Sequence, residues 1–221
     1  MHLRDLTQFL GELSENNHRA WFVMNKPRYD ILRAELLQVV MELIAGIVKF
    51  DPAVASCNPK KAMFRINRDM RFSRDQTPYK TSFSAAVTAS GLKKPSQGGG
   101  PAYYFHIDAN GKLLTAGGEY RPPMQRLREI RAHIVADPAG FGKILKDKTL
   151  NAHFGGIQQA DKLIRLPKGF DAGVPHEEAL KLKSFIAWRE ISVANVTPAS
   201  LTGRLLEDFS ASASLVKWLR N

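Results

Sequence analysis

The densest group of chemically capable side chains in this sequence is a run of cations between positions 60 and 80. It carries seven Lys and Arg residues against two Asp, a net charge of +5 in 21 residues. Burying several unpaired cations costs several kcal/mol each, so these side chains must face water, meet carboxylates or surround an anion. The residues are Lys60, Lys61, Arg65, Arg68, Arg71, Arg74 and Lys80, with Asp69 and Asp75.

The arginines of this cluster predict a binding site for a phosphate-bearing or other anionic ligand, because a guanidinium group fits both phosphate and carboxylate. If Phe64 and Ile66 face a core, alternation along a strand turns Arg65 away from it, and the following residues form a basic loop. Pairing of the arginines with the two aspartates would instead make this network purely structural. The candidate ligand-binding residues are Arg65, Arg68, Asp69, Arg71, Arg74, Lys80 and Tyr104.

Nucleic acid is one anionic partner that fits the basic cluster. Localised Lys and Arg residues with neighbouring Tyr and Phe contact phosphates and stack on bases. However, the chain has no recognised nucleic-acid-binding motif, and a net charge of +11 over 221 residues is modest. The leading hypothesis is therefore a cytoplasmic binding protein that holds an anionic ligand through the region from Arg65 to Lys80.

A second candidate group lies on one face of a predicted strand at 102–108. Strand alternation places Tyr104, His106 and Asp108 on the same side, so a phenol, an imidazole and a carboxylate form a row. Such an imidazole could serve as a general acid or base. The alternative is a polar sheet face with a hydrogen-bonded histidine. Two ligands do not make a metal site, and we predict none here.

Glu119 follows Gly117-Gly118, a pair of glycines that would permit a bulge or the close approach of another backbone. A buried Arg-Glu ion pair is the favoured interpretation of Glu119. The alternative function is an enzyme acting on a small anionic substrate, with Arg65 and Arg68 as anchors. In that hypothesis the catalytic candidates are His106 as acid or base and Asp108 or Glu119 as the group that orients it.

Composition excludes several other classes of protein. The 221 residues are 44% apolar and 24% charged, which is typical of a globular chain. The single Cys57 excludes an internal disulfide and a zinc site built from several thiolates. No apolar run is long enough to span a bilayer, which predicts no membrane association and a cytoplasmic location. No motif indicates a cofactor or a nucleotide-binding loop.

Apolar periodicity predicts one α+β domain over residues 1–221, with an antiparallel sheet flanked by N-terminal and C-terminal helices. Asn110-Gly111 indicates a tight turn between two of the strands, and residues 91–100 are predicted to be a flexible loop. A second basic stretch, 143–168, has a net charge of +4, so the two stretches hold nine of the eleven net charges. Helices are predicted at 3–16, 27–50, 127–136, 141–145, 177–188 and 201–219, and strands at 64–67, 83–87, 102–108, 112–116 and 163–166.

The run from Phe64 to Thr81, with its Arg-Asp-x-Arg-Phe-Ser-x-Asp-x-x-Pro-Tyr-Lys string, resembles a bacterial and fungal family classed as domain of unknown function 2461. The similarity covers nearly the whole chain. It implies a single full-length domain, and it implies no activity, cofactor or catalytic residue. It also continues in Asn16-Asn17, Trp21-Phe22, Asn25-Lys26, 103–107, 117–120, 166–170 and 180–185.

Overall fold

Four antiparallel strands form a sheet whose order follows the chain, so each strand pairs with the next one in sequence. The structure is a computed structural model, and it describes residues 1–71, 75–90, 100–197 and 199–221. The predicted glycine-rich loop therefore lies outside the described residues except for Gly100. The strands are β1 (Ser82–Thr88), β2 (Ala102–Asp108), β3 (Lys112–Glu119) and β4 (Phe185–Ser192).

Helices occupy both ends of the chain and the segment between β3 and β4. This arrangement confirms the predicted α+β single domain with flanking helices. None of the helices in the described ranges has the combination of length and apolar character that crossing a bilayer requires. The helices are α1 (Leu3–Glu15), α2 (Arg19–Val48), α3 (Pro59–Ala62), α4 (Met124–Ala136), α5 (Pro138–Leu145), α6 (Lys148–Phe154), α7 (Glu177–Leu180) and α8 (Leu201–Arg220).

The two faces of the sheet have different surroundings. Both hydrophobic cores take their strand residues from the same face, which we call the helix face. The opposite face, which carries Ser84, Tyr104, His106, Ala116 and Trp188, contributes no residue to either core, and we call it the open face. The residues of the helix face in the cores are Phe83, Ala85, Val87, Tyr103, Phe105, Ile107, Leu113, Phe185 and Ala187.

The last helix lies between the two cores and holds them together. Its Phe209 and Val216 belong to the core built with α1 and α2, whereas Leu215 and Trp218 belong to the core built with α4, α5 and α6. The helix packs so closely on β3 that a Cβ atom at Gly117 would lie 2.1 Å from the Ser212 hydroxyl oxygen. The glycine therefore admits the Ser212 side chain, whereas the sequence predicted a bulge or the close approach of another backbone.

A buried carboxylate fixes this helix to two strands. Asp208 is 1% exposed and accepts a 2.8 Å hydrogen bond from the Thr115 hydroxyl on β3. Arg189 on β4 donates to both carboxylate oxygens of Asp208. Since a buried charge is tolerated only when it is paired and hydrogen-bonded, this contact fixes the register of α8 against the sheet.

A second buried carboxylate joins the end of α8 to the segment after α2. Asp51 is 2% exposed and accepts two 2.8 Å hydrogen bonds from the guanidinium group of Arg220. The Tyr103 hydroxyl on β2 donates a third bond of 2.8 Å to the same carboxylate. These bonds, Arg220 first, hold the pKa of Asp51 below its usual value, and burial raises the pKa of Tyr103.

One sequence prediction gave the wrong element type. The predicted helix 177–188 is a helix only over Glu177–Leu180, and Phe185–Ser192 is the edge strand β4. Its apolar side chains cover both faces of the strand, with Phe185 and Ala187 in a core and Ile186 and Trp188 on the open face. A nearly continuous apolar run lacks the alternation by which a strand is normally recognised.

Two further strand predictions were wrong in extent. Residues 64–67 form only isolated bridges, because the segment pairs with β1 at Met63 and then with Tyr79 at Asn67. A change of partner within five residues leaves no continuous ladder. Residues 163–166 form no strand, and Ile164 is 96% exposed.

Helix α2 begins earlier than the sequence predicts. Pro27 was expected at its start, yet the helix begins at Arg19 and Pro27 lies inside it. Proline has no backbone N–H, so the Val23 carbonyl oxygen loses its helical hydrogen-bond donor. This position faces solvent, because both Pro27 and Val23 are exposed. Phe22 and Tyr29, on either side of the proline, pack with ring centroids 5.1 Å apart, and this contact holds the two parts of the helix together.

We expect the ion pair between Asp51 and Arg220 to be a major stabilising contact. Arg220→Met leaves a buried carboxylate with only Tyr103 as partner and should lower the free energy of unfolding by about 3 kcal/mol, measured by urea denaturation. Tyr103→Phe should cost about 1 kcal/mol. Arg71→Met, which removes a cation that is 76% exposed, should leave the free energy of unfolding unchanged. Equal losses for the two arginine variants would contradict this expectation.

Candidate functional site

Three rows of side chains cross the open face from β2 to β4. Residues directly opposite one another in an antiparallel pair point to the same side of the sheet, so the register defines each row. β3 supplies the middle member of every row. The rows are His106, Leu114 and Glu190; Tyr104, Ala116 and Trp188; and Ala102, Gly118 and Ile186.

All members of these rows except Glu190 line a cavity of about 550 Å³ on the open face and form its floor and walls. Phe64 closes the side next to β1, with its ring edge-on to Tyr104 at 6.0 Å between centroids. Glu119 and Tyr120 line the end near Gly118. The described lining is mostly aromatic and aliphatic, and few polar groups point into it.

Tyr104 and His106 are the polar pair on the β2 wall. The Tyr104 hydroxyl lies 3.2 Å from His106 Nδ1, within hydrogen-bonding distance. Burial lowers the pKa of His106, and the carboxylates of Asp108 and Glu190 oppose this shift. Burial also raises the pKa of Tyr104, opposed by a hydrogen bond with Ser84. Both groups are therefore neutral at pH 7, and an uncharged imidazole can accept a proton.

The two carboxylates that could orient His106 are engaged elsewhere. Asp108 Oδ1 accepts hydrogen bonds from the backbone N–H groups of Asn110 (2.9 Å) and Lys112 (2.8 Å), and thus stabilises the tight turn. Glu119 is 3% exposed and pairs with Arg126 of α4 at 3.1 Å. Burial raises the pKa of Glu119, and Arg126 opposes this shift. The favoured Arg-Glu pair is thus present, with a partner outside the basic loop.

Two local ion pairs are seen among the described residues of the basic loop. Arg68 donates to Asp75 and to the Thr77 hydroxyl, and its hydrogen bond is the main cause that lowers the pKa of Asp75 to about 2. Arg71 and Asp69 form an exposed pair at 2.7 Å. Arg65 is exposed, and Arg74 lies outside the described residues. The structural interpretation of the Arg-Asp network therefore accounts for much of this charge.

Among the described cations of the loop, Lys80 lies next to the cavity-lining ring of Phe64. Its ammonium group lies 5.3 Å from the centre of the Phe64 ring, which lines the cavity, and donates a 3.0 Å hydrogen bond to the Arg65 carbonyl oxygen. The backbone N–H of Lys80 donates to the Ile66 carbonyl oxygen at 2.8 Å. These contacts place a positive charge beside Phe64, on the side of the cavity next to β1.

The end of this loop is attached to the start of α2. Asn17 donates to the Tyr79 carbonyl oxygen at 2.9 Å and accepts from the Tyr79 backbone N–H at 3.0 Å. The Tyr79 ring stacks on Phe22 with centroids 4.1 Å apart. Segments far apart in the sequence, around positions 17, 22 and 79, thus form one contact that positions Lys80.

Sequence reasoning missed half of the cavity. Trp188 and Ile186 were not considered because their segment was predicted to be a helix, and Ala116 carries no chemistry that would attract attention. The aromatic and β-branched residues Phe185, Ile186, Trp188 and Ile191, which are enriched in strands, were the available signal. Within the described ranges, no three His, Cys, Asp or Glu side chains come together as metal ligands.

Comparison with known proteins identifies one family. The family described as "Conserved hypothetical protein (DUF2461)" matches residues 5–218 of the 221-residue chain, which confirms the resemblance found in the sequence. No curated protein and no solved structure matches the chain. The family description names no activity, so any functional argument has to rest on the site itself.

We expect His106 to titrate below its usual value of 6.5, because burial disfavours the imidazolium form. The unfolded state then binds a proton that the folded state does not. The free energy of unfolding should therefore have its full value, as far as His106 is concerned, above pH 6.5. It should fall as the pH is lowered through the folded pKa of His106. NMR titration of the imidazole gives the pKa directly.

The variant His106→Gln is the control, because it cannot titrate. Urea denaturation at about pH 7.5 and about pH 5.5 should show a smaller loss of stability in this variant than in the unmodified chain. An equal loss in both, or an imidazole pKa above 6.5, would contradict the expectation.

Proposed function

We propose that this chain, which belongs to the DUF2461 family of conserved hypothetical proteins, binds a small molecule on the open face of its sheet. The ligand has an apolar, ring-containing body and an acidic group. The observation that carries the proposal is the cavity of about 550 Å³ whose mainly apolar lining includes the hydrogen-bonded pair of Tyr104 and His106. A mainly apolar concavity with a few convergent polar groups is typical of small-molecule sites.

The size and shape of the cavity favour a small molecule over nucleic acid. Cavities that hold drug-sized ligands have volumes of about 300–1,000 Å³, and this one falls within that range. A site for single-stranded nucleic acid requires cations along a groove that follows the phosphates. Here Lys80 approaches one rim, while Arg68 and Arg71 pair with neighbouring carboxylates.

The acidic group of the proposed ligand is matched by Lys80. Its ammonium lies against the Phe64 ring, which in turn meets Tyr104 edge-on, so a ligand lying against Tyr104 can extend past Phe64 to the cation. An aromatic ring under an ammonium group attracts the cation and holds it in place. Carboxylate and phosphate groups both suit this position, and the proposal covers either.

A second candidate function is general acid–base catalysis by His106 on a small phosphorylated or carboxylated substrate. The observation in its favour is the 3.2 Å contact between His106 Nδ1 and the Tyr104 hydroxyl oxygen. In the tautomer whose Nδ1–H donates to that oxygen, Nε2 carries the lone pair that takes a proton, and burial lowers the pKa of this imidazole. Incubation with p-nitrophenyl phosphate and p-nitrophenyl acetate tests this candidate. Release of p-nitrophenolate that is lost in His106→Gln supports it, and no release by the unmodified chain contradicts it.

We expect the cavity to bind the fluorescent probe 1-anilinonaphthalene-8-sulfonate, which has an aromatic body and one anionic group. Lys80→Met should weaken this binding by about fivefold, the effect of losing roughly 1 kcal/mol of charge attraction. The neutral analogue N-phenyl-1-naphthylamine lacks the sulfonate, so the same variant should leave its affinity unchanged. Fluorescence titration measures both affinities.

Arg71→Met is the matched control, because it removes the same charge from an exposed ion pair. Its affinity for the sulfonate probe should equal that of the unmodified chain. Equal weakening by the two variants would show that net charge alone attracts the probe. Absence of saturable binding of either probe would contradict the proposed site.

A further inference from the structure

Helix α2 is apolar on two opposite faces. One face packs into a hydrophobic core through residues such as Phe22, Leu36 and Leu43. The opposite face is exposed, and its large apolar side chains include Met24, which is 80% exposed, and Ile31, which is 63% exposed. A helix that is apolar all round is normally buried, and an exposed apolar patch marks an interaction surface. We therefore expect the exposed face of α2 to have a partner.

The exposed face has the residue spacing of a coiled coil. Eight exposed positions follow one another along α2 at alternating intervals of four and three residues. This is the heptad pattern in which two helices insert side chains between those of the facing helix. We call these eight positions the α2 seam, and Gln38 is its one polar member. The α2 seam consists of Ala20, Met24, Pro27, Ile31, Ala34, Gln38, Met41 and Ala45.

We infer that the α2 seam binds a second copy of this chain, whose own α2 packs against it in the antiparallel direction. The series of intervals reads the same in both directions, so each seam residue meets a seam residue of the partner. Ile31 then lies opposite the small Ala34 of the partner subunit, and Met24 lies opposite the partner's Met41. The twofold axis passes between residues 32 and 33. This contact is independent of the open-face cavity.

The charges beside the seam select the antiparallel direction. Arg28 and Glu35 each follow a seam residue, and in this arrangement they lie between the same two pairs of seam residues. Each Arg28 thus faces the partner's Glu35, a pairing of opposite charges that occurs twice. In a parallel pair, Asp30 would face the partner's Glu35, and these like charges would repel. Arg28 and Glu35 also pair with Asp5 and His2 of their own chain, yet both side chains remain partly exposed.

The length of the α2 seam sets the size of the interface. From Ala20 to Ala45 the helix extends about 37 Å, at about 1.5 Å per residue. A strip of that length and about 10 Å wide covers several hundred Å² on each copy, which is toward the lower end for specific interfaces. An interface of this size favours a reversible dimer that forms at micromolar concentrations.

The variant Ile31→Glu tests the seam, because it places two negative charges beside the twofold axis. Sedimentation equilibrium across the micromolar range should show the unmodified chain passing from 24.7 kDa to twice that mass. Ile31→Glu should keep the monomer mass throughout. Ile164→Glu is the matched control, because it makes the same change at a side chain that is 96% exposed and lies outside α2. It should associate as the unmodified chain does, and thermal unfolding of both variants verifies that the fold is retained.

Disulfide trapping tests the direction of the two helices. Two chains with a single cysteine each are needed, Met24→Cys and Met41→Cys, both in a Cys57→Ser background that removes the native thiol. Oxidation of their mixture should give a covalent dimer that contains one copy of each variant. Either variant alone should give much less covalent dimer, because its cysteine lies opposite a methionine of the partner.

The inference would be overturned if the unmodified chain stayed at 24.7 kDa at every concentration, and the seam would then have another occupant. It would also be overturned if Ile31→Glu associated as strongly as Ile164→Glu, since the contact would then lie elsewhere. Covalent dimers that form preferentially between identical single-cysteine chains would contradict the antiparallel arrangement.

Discussion

The packing of α8 across the helix face of the sheet is the contact on which the rest of the structure depends. Asp208 joins this helix to β3 and β4 through Thr115 and Arg189. Apolar side chains of the same helix belong to both hydrophobic cores. Once the carboxylate is buried, the helix cannot slide along the sheet without separating a desolvated ion pair. The described strand residues of both hydrophobic cores lie on the side of the sheet that carries this helix.

This one-sided arrangement explains why a site can exist on the opposite face. Small side chains at Ala116 and Gly118 and large ones at Tyr104 and Trp188 make that face concave. Polar groups come from β2, which supplies Tyr104 and His106, and from the basic loop, whose Lys80 lies against Phe64. The chemistry beside the cavity thus combines a phenol, a neutral imidazole and a cation.

The sequence was sufficient to predict the fold class, the three consecutive strands and most helices, because these depend on local periodicity and turn chemistry. It predicted the row of Tyr104 and His106 for the same reason. It could not reveal that Trp188 lies opposite Tyr104, since that neighbour depends on a pairing with a strand whose apolar pattern carries no period. Nor could it decide that Arg68 and Arg71 pair with Asp75 and Asp69 while Lys80 lies over the Phe64 ring, because side-chain partners are set by tertiary contacts.

The glycine pair at the end of β3 links the two faces of the sheet in a way that constrains how the cavity can change. Gly117 has no room for a side chain because Ser212 lies against it, and a Cβ at Gly118 would lie 2.1 Å from the Phe185 carbonyl oxygen. The depth of the cavity at this end is therefore inherited from the packing of the strands and α8, and does not depend on the ligand. In a chain of this fold, substitutions can change the ligand that is bound only at the walls and at the shallower part of the floor. The shape of the deep end stays constant.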